Sequence, residues 1–87
     1  MQRRNLEYFV TVVDCGSISA AAQKLFVAQP SLSRAINALE RQMDCRLLER
    51  TGRGVVPTAA GRQLYYYGRS ILDKFQMLDR LYHGGEE

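Results

Sequence analysis

Apolar residues recur at intervals of three and four along two consecutive segments between Gly16 and Arg41. The two sets, with Val27 between them, are Ile18, Ala21, Ala22 and Leu25, followed by Leu32, Ile36, Leu39 and Met43. Because an α-helix has a period of about 3.6 residues, this spacing predicts two helices that each bury one face. The small residues at positions 20–22 allow a second helix to approach closely. We therefore predict two crossed helices joined by a tight apolar turn.

The second of these helices, predicted over about 29–43, has a polar face opposite its apolar stripe. Pro30 suits a first turn, and Asp44 tolerates the left-handed conformation that ends a helix. The candidate residues on and beside the outward face are Gln29, Pro30, Ser31, Ser33, Arg34 and Asn37. Glutamine, serine, arginine and asparagine hydrogen-bond base edges in a DNA major groove. The pattern is typical of a helix-turn-helix, and a solvated face on an ordinary helical hairpin is the alternative.

A glycine-rich segment after this helix predicts a β-hairpin. Two short strand-like runs, 47–50 and 55–56, flank the residues Thr51-Gly52-Arg53-Gly54, whose two glycines allow positive φ. The tip would carry Arg53, with Arg50 and Thr51 beside it. A basic hairpin directly after a helix-turn-helix is a wing that touches phosphates or enters a minor groove. A surface turn with an incidental arginine is the alternative.

Upstream, another helix is predicted between a cap at Asn5 and an exit at Gly16. Ser17 or Ser19 would then cap the next helix. The apolar side of the first helix is formed by Leu6, Phe9, Val10 and Val13. Three helices and a hairpin thus account for residues 1–57, the predicted head domain.

The rest of the chain predicts one long helix, capped by Thr58 and running to Tyr82. Its apolar positions alternate by four and three, as in a heptad seam: Leu64, Gly68, Ile71, Phe75, Leu78 and Tyr82. Twenty-four residues at about 1.5 Å each make a helix of about 36 Å, longer than the head is wide. We therefore predict that residues 58–82 form a linker that dimerises with a second copy. Residues 83–87 are predicted to break the helix and to lead toward another domain.

Charge supports a nucleic-acid partner. The chain has 87 residues, enough for one small domain, and a net charge of +3. Residues 24–62 hold seven basic and three acidic residues, so the positive charge coincides with the suspected reading helix and hairpin. That distribution is the footprint of a nucleic-acid surface.

Catalytic, metal and membrane functions find no support in the sequence. His83 is the only histidine, so no catalytic constellation forms, and no cofactor is predicted. Cys15 and Cys45 are far apart, which favours inert thiols in a reducing cytoplasm over a metal site or disulfide. No signal peptide or membrane-spanning run is visible. Glu40 and Asp44 indicate a solvated surface or an ion pair with Arg41 or Arg46.

In order and spacing, the motifs along the chain resemble the N-terminal DNA-binding region of LysR-type transcriptional regulators. The residues that carry the resemblance are Ala21-Ala22, Leu25, Ala28-Gln29-Pro30-Ser31-Leu32-Ser33, Ile36, Leu39-Glu40, Leu47, Arg50, Arg53, Thr58 and Ala60-Gly61. Departures from the family pattern are Met43, Asp44, Leu48 and Pro57. These change packing and turn chemistry rather than the DNA-facing residues.

The resemblance implies a mainly α winged helix-turn-helix, with three helices and a β-hairpin wing, followed by a long dimerisation helix. It implies sequence-specific binding of double-stranded DNA by a cytoplasmic, nucleoid-associated bacterial regulator. The two-fold symmetry of the predicted dimer further predicts inverted half-sites in that DNA. Gln29, Pro30, Ser33 and Arg34 match reading-helix positions, while Arg50 and Arg53 match the wing, which spans about 50–54. It also implies a homodimer, leaves a tetramer of the full-length protein open, and assigns any small-molecule effector to a C-terminal domain absent here.

The competing interpretation is a winged-helix protein-interaction or dimerisation module that does not bind DNA. Arg34, Asn37, Arg50 and Arg53 discriminate between the two, because all four are expected on one side of the head. We therefore favour DNA binding.

Overall fold

The computed structural model describes residues 1–83, and this part of the chain holds four helices and one antiparallel hairpin. In chain order the elements are α1 (Arg3–Cys15), α2 (Ile18–Leu25), α3 (Gln29–Met43), β1 (Leu48–Thr51), β2 (Gly54–Pro57) and α4 (Ala59–Tyr82). This arrangement confirms the predicted winged helix-turn-helix followed by a long helix. Helix α4 ends at Tyr82 and His83 follows it, where the helix was predicted to break; the rest of that predicted segment, 84–87, lies outside the described residues.

The ends of the first two helices follow local chemistry, with one correction. The backbone N–H of Leu6 donates to the carbonyl of Gln2 at 3.2 Å, so α1 already begins at Arg3. The predicted cap at Asn5 is therefore wrong, because Asn5 lies inside the first turn. Gly16 ends α1 with φ of 68°, as predicted. The hydroxyl of Ser17 accepts the N–H of Ala20 at 3.1 Å, which selects Ser17 over Ser19 as the cap of α2.

The turn between α2 and α3 is tight, and α3 ends as predicted. The N–H of Val27 donates to the carbonyl of Ala22 at 3.1 Å across a left-handed Phe26, whose φ is 59°. Pro30 lies in the first turn of α3, and Asp44 follows the helix with φ of 58°. Ala21 and Ala22 are buried, which agrees with the close helix approach expected from their size.

The three head helices and the hairpin share one apolar core. Its buried members are Phe9, Val10, Val12, Ile18, Ala21, Ala22, Leu32, Ile36, Leu39, Leu47, Leu48 and Val55. Leu6 is buried as well, beneath α4, whereas Val13 is only half-buried. No polar or charged side chain within residues 1–83 is fully buried. The head is thus held together by apolar packing, and its polar groups remain available at the surface.

Helix α4 packs against the head core with residues up to Leu72, and farther along the ring of Phe75 lies beneath the guanidinium of Arg3. Gly68 is buried, and a β-carbon built there would lie 2.7 Å from Cδ1 of Leu6. The prediction that Gly68 belongs to a dimer seam is therefore corrected: its face is covered by α1 of the same chain. Leu64 is half-buried and packs against the head core, so it too is largely used within the chain. Ile71, Phe75, Leu78 and Tyr82 are exposed.

Candidate nucleic-acid interface

Helix α3 presents its polar residues outward because its apolar stripe is anchored in the core. Leu32, Ile36 and Leu39 are buried. On the opposite side, exposed side chains are those of Gln29, Pro30, Ser31, Arg34 and Asn37, and Ser33 is half-buried beside them. The structure therefore places the predicted reading residues on or beside one solvent-facing surface of one helix.

The N-terminal end of α3 is open to an anion. Ala28 precedes the helix and has no side chain that hydrogen-bonds its first turn, and the first turn holds no acidic residue. A helix start without a capping side chain leaves backbone N–H groups and the positive end of the helix dipole available to a ligand. Phosphate groups are the usual ligands for such an end. This end of α3 therefore suits a nucleic-acid backbone.

The hairpin has the predicted wing shape, with Gly52 and Arg53 between paired Thr51 and Gly54. The hydroxyl of Thr51 accepts the N–H of Arg53 at 3.2 Å and donates to the carbonyl of Gly54 at 3.3 Å. Thr51 thus stabilises the turn through two hydrogen bonds of its own hydroxyl. Arg53 is exposed at the tip, and Arg50 is exposed on β1, where it pairs with Val55.

One backbone contact attaches the wing to the head, and another closes the base of the hairpin. The N–H of Val55 donates to the carbonyl of Gly16 at 3.1 Å, and that of Thr58 donates across the hairpin to the carbonyl of Leu47 at 3.0 Å. Gly54 has φ of 145°, and a β-carbon there would overlap the carbonyl oxygen of Gly16. A residue without a side chain is therefore needed where the wing meets the end of α1.

Glu40 connects the reading helix to the wing, a role that the sequence did not reveal. Its Oε2 accepts the N–H groups of Leu47 and Leu48 at 2.8 and 3.2 Å. The Nε of Arg46 lies 3.9 Å from the same oxygen, so the ion pair considered for these two residues is present. A carboxylate in the last turns of α3 thus holds the backbone that enters β1. Glutamates at helix surfaces are common, and no sequence signal distinguished this one.

Helix and wing line one shallow cleft. Ser33 and Asn37 approach it from α3, and Arg46 and Arg50 approach it from the chain segment that forms the wing. Arg46 was not among the predicted site residues, because it lies between α3 and β1 and belongs to neither element. The structure therefore brings residues distant in sequence to one basic, polar surface.

The other arginines of this surface have no acidic partner among the residues that the structure describes. Between residues 1 and 83, ion pairs within 4.0 Å involve only Arg46 and Arg69. Arg34, Arg50 and Arg53 are exposed and carry their charge to solvent. Exposed guanidinium groups that are not paired with a carboxylate can hydrogen-bond guanine edges and phosphates.

Other kinds of site were also sought in the described residues. Across positions 1–83, no three histidine, cysteine or acidic side chains come together in a way that could hold a metal ion. None of the helices described is both long and apolar enough to cross a membrane. Cys15 is half-buried and Cys45 is exposed, and both are free thiols. His83 directly follows α4.

A compact trihelical head with an exposed polar helix and a basic hairpin defines a winged helix-turn-helix, the fold of a large class of DNA-binding transcription regulators. The chain belongs to the LysR family of bacterial regulatory helix-turn-helix proteins, whose family model matches residues 3–62. This membership favours the regulator over the alternative of an interaction module without DNA binding.

Curated relatives are bacterial transcription regulators. The nitrogen assimilation regulatory protein nac of Klebsiella aerogenes is 53% identical over 72 residues, which cover 83% of this chain and 24% of that protein. The nac protein of Escherichia coli K12 is 45% identical over 83 residues, covering 95% and 27%. The chain therefore spans about a quarter of the length of the curated relatives it matches.

Solved structures with the same fold include DNA complexes. The crystal structure of the BenM_DBD/benA site 1 DNA complex is 41% identical, with a TM-score of 0.88 over 93% of this chain and 94% of that one. BenM is a transcriptional regulator of Acinetobacter baylyi. The CbnR_DBD–DNA complex is 36% identical, with a TM-score of 0.87 over the full length of both chains.

Proposed function

We propose that this chain binds specific sites in double-stranded DNA as the DNA-reading part of a LysR-type transcription regulator. The observation that carries the proposal is the joining of an outward polar helix and a basic wing into one surface, with Glu40 holding α3 to the start of the hairpin. Similarity to domains solved with DNA supports it. Because the family and the curated relatives are bacterial transcription regulators, we propose no enzymatic activity. Binding to DNA would place the protein with the chromosome in the bacterial cytoplasm.

Helix α3 enters the major groove and the wing contacts the neighbouring backbone or minor groove. Arg34 and Asn37 reach base edges, with Gln29 and Ser33 nearer the start of the helix. Pro30 and Ser31 bring the uncapped helix start to a phosphate. The remaining contacts come from the wing, through Arg50, Arg53 and the turn shaped by Thr51.

Two copies pair through the part of α4 that the head leaves uncovered. Ile71, Phe75, Leu78 and Tyr82 form its exposed apolar stripe. A helix with an uncovered apolar stripe gains free energy when a second apolar surface covers it. A two-fold pair of heads would then require inverted half-sites in the DNA. Residues 1–57 would read DNA and 58–82 would dimerise, while effector binding and any tetramer belong to parts of the full-length protein outside this chain.

Selection of bound sites from a random duplex pool, followed by titration over a salt series, tests the DNA proposal. Arg34→Ala is expected to cost about 1–3 kcal/mol of binding and to relax specificity at one position. Arg53→Ala should weaken all sequences more evenly. Arg80→Ala is the matched control, because Arg80 is exposed in the last turn of α4, away from the head. Binding that ignores salt, or that prefers no sequence, contradicts the proposal.

Sedimentation of Ile71→Asp tests the dimer. This change buries a charge against the symmetry mate and should split the pair, because an unpaired buried charge is costly. The isolated head keeps its fold but loses the summed affinity of two reading helices on one DNA molecule. Ser70→Asp is the matched control, since it adds the same charge to a neighbouring exposed position on another face of α4. If Ile71→Asp stays dimeric, α4 is not the interface.

A further inference from the structure

A small polar cluster joins the end of α1 to the middle of α4. The Asp14 carboxylate accepts the hydroxyl of Tyr65 at 2.5 Å and Nη1 of Arg69 at 3.1 and 3.4 Å. Arg69 Nη1 also donates to the Tyr65 hydroxyl at 3.0 Å, which closes the cluster. We call these three residues the Asp14 clamp. None of the three residues belongs to the surface formed by α3 and the wing, and their hydrogen bonds join positions more than fifty residues apart in the sequence.

The Asp14 clamp restricts the orientation of α4 relative to α1, which the apolar contacts between these two helices do not. Helices α1 and α4 run antiparallel, with Arg3 over the ring of Phe75, Leu6 against Gly68, and Asp14 at Tyr65. A leucine on a glycine lets two helices approach closely, but such a contact has no preferred direction. Hydrogen bonds are directional. Tyr65 and Arg69 are four residues apart and therefore share one side of α4. Their hydrogen bonds to Asp14 together restrict the rotation and tilt of α4.

Orientation matters because α4 carries the exposed stripe while the head carries α3. At about 1.5 Å per residue, the segment from Ile71 to Tyr82 is about 17 Å long. A tilt of about 10° therefore moves its far end by about 3 Å, close to the axial rise of about 3.4 Å per base pair in DNA. In a two-fold dimer both heads move together. The angle between α4 and the head thus governs the distance between two reading helices.

We propose that Asp14, Tyr65 and Arg69 are positioning residues that determine which half-site spacing the dimer accepts. The inference rests on the proposed function, namely that the chain binds DNA as a dimer through α4. Their contribution to folding is small, because Asp14 and Arg69 are partly exposed and exposed ion pairs add little stability. Loss of the clamp therefore changes geometry more than it changes the fold.

The test uses the whole chain and duplexes with two selected half-sites in inverted orientation, separated by spacers that change one base pair at a time. A duplex with one half-site reports the affinity of a single head. Tyr65→Phe removes only a hydroxyl from the clamp, and Asp14→Ala removes the shared acceptor. Tyr66→Phe is the matched control, because Tyr66 undergoes the same change one residue away on an exposed side of α4.

Wild type and Tyr66→Phe should show one preferred spacing. In Asp14→Ala, the ratio of the affinity at the preferred spacing to the affinity at neighbouring spacings should fall about two- to fivefold. This range corresponds to the free energy of one exposed ion-pair cluster. The fall should be smaller in Tyr65→Phe. Affinity for the single half-site should stay unchanged in both variants. Asp14→Asn keeps an acceptor for the Tyr65 hydroxyl and should fall between wild type and Asp14→Ala.

Two results overturn the inference while leaving the proposed function standing. One is a spacing preference that is equally sharp in wild type, Tyr65→Phe and Asp14→Ala. The other is an equal loss of affinity on one and two half-sites, which would make the clamp a purely structural element. A wild-type chain that binds DNA without any spacing preference contradicts the dimeric proposal itself, and the inference falls with it.

Discussion

Two phenylalanines, one in the head and one in the linker helix, are packed very differently. Phe9 of α1 is completely buried in the head core, whereas Phe75 of α4 is 40% exposed and has the Arg3 guanidinium 4.8 Å above its ring. The same contrast extends to their neighbours. Val12 and Leu39 are buried in the head, while Leu78 and Leu81 in the second half of α4 are at least half-exposed.

The difference shows that the apolar core of the head is covered within the chain, in part by the first half of α4, whereas the apolar side chains of the second half of α4 stay largely exposed. Helix α4 keeps the amphipathic pattern of a packed helix beyond the point where the head ends. A contiguous exposed apolar stripe on a folded protein commonly marks an interaction surface. The contrast is therefore between a closed head core and a linker helix whose apolar stripe is incomplete without a partner.

The largest expected effect separates the two phenylalanines. Phe9→Ala should lower the free energy of unfolding by about 3–5 kcal/mol, because it leaves a cavity in a closed core. Phe75→Ala should cost less than about 1 kcal/mol in dilute protein, since little packing is lost. Urea unfolding followed by circular dichroism measures both values. Phe9→Leu serves as a milder core variant in case the alanine variant does not fold.

Protein concentration sharpens the same comparison. If α4 pairs with a second copy, the cost of Phe75→Ala should grow with concentration, because association stabilises only the folded chain. The cost of Phe9→Ala should not depend on concentration in this way. Equal losses for the two variants in dilute protein would contradict the contrast.

A second comparison concerns the junction between head and linker helix. Gly61 is buried at the start of α4, and a β-carbon there would overlap the backbone carbonyl oxygen of Leu47. Gly61→Ala should therefore cost about 1–3 kcal/mol through overpacking. Gly52 has open space at the tip of the wing, so Gly52→Ala should change stability by less than about 0.5 kcal/mol. Thermal unfolding of both variants checks this order, and a harmless Gly61→Ala would show that the junction can shift.

A smaller and opposite effect is expected in the helix-turn-helix turn. Phe26 holds a left-handed backbone while its side chain is 95% exposed. Asparagine tolerates this conformation better, so Phe26→Asn should raise the free energy of unfolding by about 0.5–1 kcal/mol. Phe26→Ala removes the ring but keeps the β-carbon penalty, and it should give no such gain. A melting-temperature comparison decides between them, and equal melting temperatures would mean that the turn is not strained.

The smallest effect is a pH dependence of the contact between head and linker. The hydrogen bond to Asp14, followed by burial and the charge of Asp14, raises the pKa of Tyr65 above its ordinary value of 10.0, while Arg69 opposes the shift. Because the pKa of Tyr65 is higher in the folded chain than its ordinary value of 10.0, the bond from its hydroxyl to Asp14 stabilises the fold fully below pH 10. That stabilisation is lost as the pH rises through the folded-state pKa of Tyr65. Phenolate absorbance should therefore show one late-titrating tyrosine, which disappears in Tyr65→Phe. An unchanged titration in that variant would contradict the assignment.

Short-range chemistry was readable from the residues alone. The helices of the helix-turn-helix, the turn at Asp44, the Thr58 cap and the wing around Arg53 all follow from periodicities and turn preferences that act within a few positions. The reading face also followed, because residues opposite a buried stripe must face solvent. Such features need no knowledge of what packs against them.

Long-range choices were decided only by the tertiary structure. On α4, the seam positions lie within a narrow sector of the helix, so spacing alone could not show that Gly68 faces α1 while Ile71 stays exposed. The partners of Glu40 and Asp14 were equally hidden, because a carboxylate on a helix surface pairs with whatever the fold brings near. Periodicity specifies which side of an element is apolar, but only packing specifies which neighbour covers it.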